Sequence, residues 1–168
     1  MKRMFMLFAL CVFFCNSYAK DYFKLGFEAY ENLDFYQASK YFKKGCDLGQ
    51  EAACYGLGDL YHKGLGVPQS YAQSIKYHKK ACELGHKNSC FNLGALFSNG
   101  DGVQRSYVQA LKYHKKACEL GDNEACNNVA LIYANGLGVL QNYDQALKYL
   151  EKACKFGHEK ACKFFSDL

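Results

Sequence analysis

From Tyr71 the apolar positions advance by threes and fours. Tyr71, Ser74, Ile75, His78, Ala81 and Cys82 fall at i, i+3, i+4, i+7 spacing, which gathers them into one stripe of a helix. Tyr107, Ala110, Leu111, His114, Ala117 and Cys118 repeat that stripe 36 residues later. A second pattern precedes each stripe. Leu57, Gly58, Leu60 and Tyr61 recur as Leu93, Gly94, Leu96 and Phe97, and again as Val129, Ala130, Ile132 and Tyr133. The small residue at 58, 94 and 130 is expected to let two helix backbones approach closely. Between the two patterns lies a glycine pair, Gly64 and Gly66, Gly100 and Gly102, or Gly136 and Gly138, which predicts a helix stop and a turn. Gly49, Gly85, Gly121 and Gly157 are predicted to stop the second helix in the same way. No alternating strand pattern competes.

The chain is therefore a set of helix-turn-helix units. The ten letters KYHKKACELG begin at Lys76 and again at Lys112. Units at about 52–87, 88–123 and 124–159 align along their length, and an earlier one at about 20–51 lacks four residues in its middle loop. That first unit has Tyr22 where the others carry cysteine, and it reads as an N-terminal cap. Residues 160–168 start a further unit and stop, a C-terminal cap. A period of this length predicts an all-α fold, an α/α solenoid of about four 36-residue repeats in one domain over residues 20–168.

The frame LG-x-x-Y-x-x-G-x-GV, then A-L-K-Y, then K-A-C-x-x-G, resembles the Sel-one-like repeats, relatives of the tetratricopeptide repeat. The C-x7-C in every unit makes it similar to the secreted Helicobacter cysteine-rich protein family. That resemblance implies a superhelix with a concave binding face. It also implies a second possibility, since members are described as penicillin-binding proteins or β-lactamases acting on 6-aminopenicillanic or 7-aminocephalosporanic acid rings. The residues offer little to the enzyme. A serine β-lactamase needs S-x-x-K, S-D-N and K-T-G. This chain has no threonine, and its S-x-x-K runs from Ser17 to Lys20. Catalytic residues are unassigned, so lactam hydrolysis of the β-lactamase type, like weak lactam binding, is implied by the resemblance alone.

The start of the chain reads as a secretory leader over residues 1–19. Lys2 and Arg3 precede an apolar stretch from Met4 to Cys15, and Ser17-Tyr18-Ala19 offers small residues for cleavage before Lys20. The apolar stretch is too short to span a bilayer. Leu10 and Phe14 occupy the positions where lipid attachment at Cys11 or Cys15 would need a small residue. The expected product is secreted or periplasmic, without a membrane anchor, and monomeric. Losing Lys2 and Arg3 takes the net charge from +5 to +3, too mild a balance to point to nucleic acid.

Eight of the ten cysteines remain in that product. An even count in an exported chain reads as a disulfide framework. The period favours Cys46–Cys54, Cys82–Cys90, Cys118–Cys126 and Cys154–Cys162, each joining the end of one helix to the start of the next. The rival scheme, Cys54–Cys82, Cys90–Cys118 and Cys126–Cys154, leaves Cys46 and Cys162 unpaired. His86 and His158 stand midway between paired cysteines, but the same slot holds Gln50 and Asp122, so it reads as a polar turn position. No metal and no cofactor are expected. His78 and His114 share their stripe position with Phe42 and Leu150, and read as half-buried packing residues with a satisfied nitrogen.

Positions that vary while the frame repeats are the candidates for recognition. On the first helices these are Asp59 and Lys63, Asn92 and Asn99, and Asn128 and Asn135, with Gly56, Ala95 and Leu131 on the same faces. An asparagine amide both donates to and accepts from an extended backbone. The expected ligand is a protein or peptide, from a host or from the cell envelope, bound in the concave groove.

Overall fold

The structure, a computed structural model, describes residues 20–166. The leader expected over residues 1–19 lies outside them. The described residues form α1 (Tyr22–Glu31), α2 (Phe35–Asp47), α3 (Glu51–Lys63), α4 (Tyr71–Glu83), α5 (Lys87–Asn99), α6 (Tyr107–Glu119), α7 (Asn123–Asn135), α8 (Tyr143–Lys155) and α9 (Glu159–Ser166). There is no strand among them. Each helix packs mainly on the helices before and after it, so the fold is a solenoid of helix pairs. The core correspondingly lies in two buried patches along the stack, one from Ala38 to Ala81 and one from Ile75 to Ala161.

Local chemistry sets each boundary. Asp34, Ser70, Ser106 and Asn142 cap the second helices, with side-chain oxygens accepting from the backbone of Gln37, Gln73, Gln109 and Gln145. Such a cap satisfies an N–H that the helix leaves orphaned. Gly64, Gly100 and Gly136 end the first helices in the left-handed region, which costs glycine nothing and other residues more. The second glycine of each pair also permits a close approach. A β-carbon on Gly138 would stand 3.0 Å from Tyr107 Cβ in the preceding unit.

The turn between units is closed by disulfides Cys46–Cys54, Cys82–Cys90, Cys118–Cys126 and Cys154–Cys162, with Cα–Cα distances of 4.5–4.8 Å. The slot midway between each pair has a specific task. His86, Asp122 and His158 there cap α5, α7 and α9, accepting from Ser89, Ala125 and Ala161 backbone N–H groups. Gln50 reaches elsewhere: its Oε1 accepts from Phe23 N–H at 3.0 Å, and its amide donates to the Lys20 carbonyl. It ties α1 to the stack where the other units have a disulfide-bonded cysteine in place of Tyr22.

The small residues at 58 and 94 do not serve backbone approach, as the sequence suggested. They make room for a ring. A β-carbon on Gly58 would lie 3.0 Å from His78, and one on Gly94 2.5 Å from His114. At the corresponding positions the fourth unit carries Ala130 and Leu150, both in the same core patch, so it has neither the glycine nor the ring. Gly94→Ala is therefore expected to destabilise by about 1–3 kcal/mol through overpacking. Combined with His114→Leu, much of that loss should return, a coupling of roughly 1 kcal/mol or more. Urea unfolding of the two single variants and the double checks this, and strictly additive losses would refute the ring-pocket account.

Candidate functional site

The first helices α1, α3, α5 and α7 border three clefts in register. One of about 270 Å³ is lined by Phe23, Phe27, Tyr30, Phe42 and Tyr55. The next, about 340 Å³, carries Asp59, His62, Lys63, His78, Asn92 and Asp101. The third, about 230 Å³, carries Ala95, Ser98, Asn99, His114, Asn128 and Leu131. One 36-residue step carries the lining of the second cleft onto the third, so Asp59 gives way to Ala95 and Asn92 to Asn128, while the shorter first unit brings Phe27 and Tyr30 to the places of Asp59 and His62 by a step of 32. The clefts share a frame and differ in chemistry: aromatic, charged, then polar with an apolar wall.

Asp59 is the most connected of the residues singled out from sequence. It lies 3.5 Å from His78 Nε2 and 3.9 Å from Lys63 Nζ. Burial, with Asp59 adding to it, pushes the Tyr55 phenol up to about 12, while a hydrogen bond from Asn92 works the other way. Asn92 and Asn128 are half-buried on the cleft walls. Asn99 and Asn135 are exposed and turn to local partners. The Asn99 amide donates to Asp101 at 3.1 Å, and that of Asn135 to the Leu131 carbonyl at 2.9 Å. The polar wall is thus carried by Asn92 and Asn128 more than by the other two.

His78 and His114 are more deeply buried than their pattern suggested, each 2% exposed. Burial lowers both to about 4, opposed by Asp59 at His78 and by Asp122 at His114. They are neutral at physiological pH. His78 has a neighbour at each ring nitrogen, with Ser89 Oγ 3.5 Å from Nδ1. His114 Nδ1 is buried with no hydrogen-bond partner, so the expectation of a satisfied nitrogen fails at that atom. Its unit has Ala125 where the previous one has Ser89.

Ser89, His78 and Asp59 meet in a serine–histidine–aspartate order. The geometry does not make a nucleophile. Ser89 is 0% exposed, and its hydroxyl sits closer to His86 Nδ1, at 3.1 Å, than to His78. A hydroxyl walled in this way cannot reach a substrate carbonyl. Among the described residues, no cluster of three or more His, Cys, Asp or Glu is arranged to hold a metal ion. No described helix is long and apolar enough to cross a membrane.

The aromatic cleft at the first unit escaped sequence reading. Its signal was present, since Phe27 and Tyr30 stand where later units have Asp59 and His62. Treating the first unit as a cap hid the substitution.

Comparison with known proteins agrees with the period. The Sel1 repeat pattern matches residues 19–50, 51–86, 87–122 and 123–158. HcpC of Helicobacter pylori, whose name marks it as a candidate beta-lactamase, is 42% identical over 67 residues, covering 39% of this chain and 23% of HcpC. This chain therefore spans about a quarter of that relative. The structure of c5321, a protective antigen of uropathogenic Escherichia coli, matches with a TM-score of 0.77 at 32% identity, over 87% of this chain and 32% of that one. Helicobacter pylori cysteine rich protein B matches with a TM-score of 0.59 at 34% identity, over 79% of this chain and 94% of that one. With four repeats matched over most of its length, this chain belongs to the Sel1 repeat family, and cysteine rich protein B is among its relatives.

Proposed function

We propose that the chain is an extracytoplasmic, disulfide-stapled scaffold that binds an extended segment of another protein along the concave side of its first helices. The observation that carries this reading is the row of three clefts, one per step of the repeat, with a fixed frame and changing side chains. A ligand strand crossing them meets an aromatic, a charged and a polar subsite in turn, which suits recognition of a sequence. Four disulfides fit an oxidising compartment, in line with the leader read at residues 1–19.

Lactam hydrolysis, the alternative, enters through the names of relatives. The buried Ser89 gives it no support, and the clefts offer a lactam at most a place to bind. The test uses the oxidised chain from Lys20 as bait, followed by calorimetry against the captured partner. A net hydrogen bond contributes roughly 0.5–1.5 kcal/mol. Replacing Asn92, Asn99, Asn128 and Asn135 together by alanine should weaken binding by about two orders of magnitude. The pair Asn92 and Asn128 should account for most of that loss, with the melting temperature nearly unchanged. Undiminished affinity in the quadruple variant would refute the groove. Purified chain that opens a lactam well above background, with a point variant that abolishes the activity, would establish the enzyme instead.

A further inference from the structure

The repeat sets the same imidazole into two successive units with different surroundings. The rings are oriented alike. Tyr55 lies 5.7 Å from the His78 ring at 51°, and Phe91 lies 5.6 Å from the His114 ring at 58°. A β-carbon on Gly58 or on Gly94 would meet the Cε1–Nδ1 edge of the respective ring first. The two Nε2 atoms therefore point the same way relative to their units. At His78 that nitrogen faces the Asp59 carboxylate at 3.5 Å. At His114 the equivalent position is Ala95, and the space opens into the third cleft, which Ala95 and His114 both line. Nδ1 of the same ring is buried and unpartnered, so His114 has lost both of the neighbours that His78 keeps.

We propose that the third cleft takes the carboxylate of an acidic side chain from a bound protein segment, placed beside His114 where Asp59 stands beside His78. Asp59 is then a built-in copy of the ligand, and Ala95 is the vacancy that admits the real one. His114 Nε2–H donates to the carboxylate. The Asn128 amide and the Ser98 hydroxyl flank it, and Leu131 and Leu137 wall the side of the ligand's methylene groups. The idea rests on the groove reading above and adds the ligand's chemistry.

The protonation state has a sign. Burial holds free His114 to about 4, and Asp122, in the turn before α7, pushes it the other way. The groups that α5 and α7 set around the cleft, Phe91, Ala95 and Asn128, are uncharged. A carboxylate brought against the ring favours its cation. Binding then takes up a proton below neutrality and tightens as the solution is acidified.

The experiment follows 13C-labelled histidine resonances in the oxidised chain during titration with N-acetylaspartate N-methylamide. The neutral asparagine analogue is the control. The expected result is a saturable shift at His114 with a raised pKa, and a response to the neutral probe weaker by roughly tenfold or more. Ala95→Asp copies the second unit into the third, so it should raise the His114 pKa without probe and weaken the probe response by roughly tenfold. Asp59→Ala should create a new response at His78. A His114 that ignores the acid, answers both probes equally, or responds unchanged in Ala95→Asp overturns the proposal. The groove reading fails separately. A captured protein that binds Ala95→Asp as tightly as wild type removes the carboxylate site and leaves the groove, while a probe-responsive chain whose partner ignores the asparagine variants does the reverse.

Discussion

Reducing the four disulfides is expected to unfold the solenoid at room temperature. Each bridge closes a loop of sequence separation 8, which contributes about 2.5 kcal/mol by restricting the unfolded chain. Four such contributions approach ~10 kcal/mol, comparable to the whole stability of a small domain. A solenoid has no central core to absorb the loss, because each interface is held by adjacent units alone. The order of reduction should follow burial. The six cysteines of the first three bridges are 0–1% exposed, whereas Cys154 and Cys162 are half-buried. Pulsed alkylation under a phosphine reductant should therefore label Cys154 and Cys162 first. Circular dichroism melts with and without reductant measure the main effect. A reduced chain melting within a few degrees of the oxidised one would show that the helix interfaces suffice by themselves.

Acidification from neutrality is the second large effect. His78 and His114 both drop from 6.5 to about 4 on burial, and burial lowers His86 as well. Unfolded chains take up protons below pH 6.5 that the folded chain refuses until about 4. Their stabilisation is thus complete above the unfolded value, is lost progressively through that window, and falls no further below it. The loss is on the order of 3 kcal/mol for each of the two buried rings, the Asp59 charge beside His78 being already part of where that ring settles. His86 adds in the same direction, because its Nδ1 accepts the Ser89 N–H and protonation removes that cap. Urea midpoints across the window should fall steeply for wild type. The double variant His78→Phe and His114→Phe, which borrows the Phe42 solution of the first unit, should fall less. Parallel slopes would place the acid sensitivity in other groups.

Relatives of known structure establish the repeat, and the sequence reaches the same architecture by a short route. A stripe at helical spacing, a glycine pair and a returning cysteine are all local, and a 36-residue step displays each of them several times. Comparing units inside one chain then separates frame from variation, which is why Asp59, Asn92 and Asn128 were legible as candidates. The aromatic first cleft was missed because a departure in a terminal unit looks like capping when only its loop length is compared.

Helix existence, turn positions and the number of staples depend on residues a few places apart, and the sequence alone determined them. The surroundings of the two histidines do not. Ser89 lies 11 residues from His78 in the chain, and Asp59 reaches the same ring from the other side, on a different helix. Only the packing of three helices reveals that Gly58 and Gly94 house rings and that Ala95 and Ala125 leave His114 open. Spacing carries no signal for such a meeting, because side chains from separate helices converge only once the stacking has fixed their distances and directions.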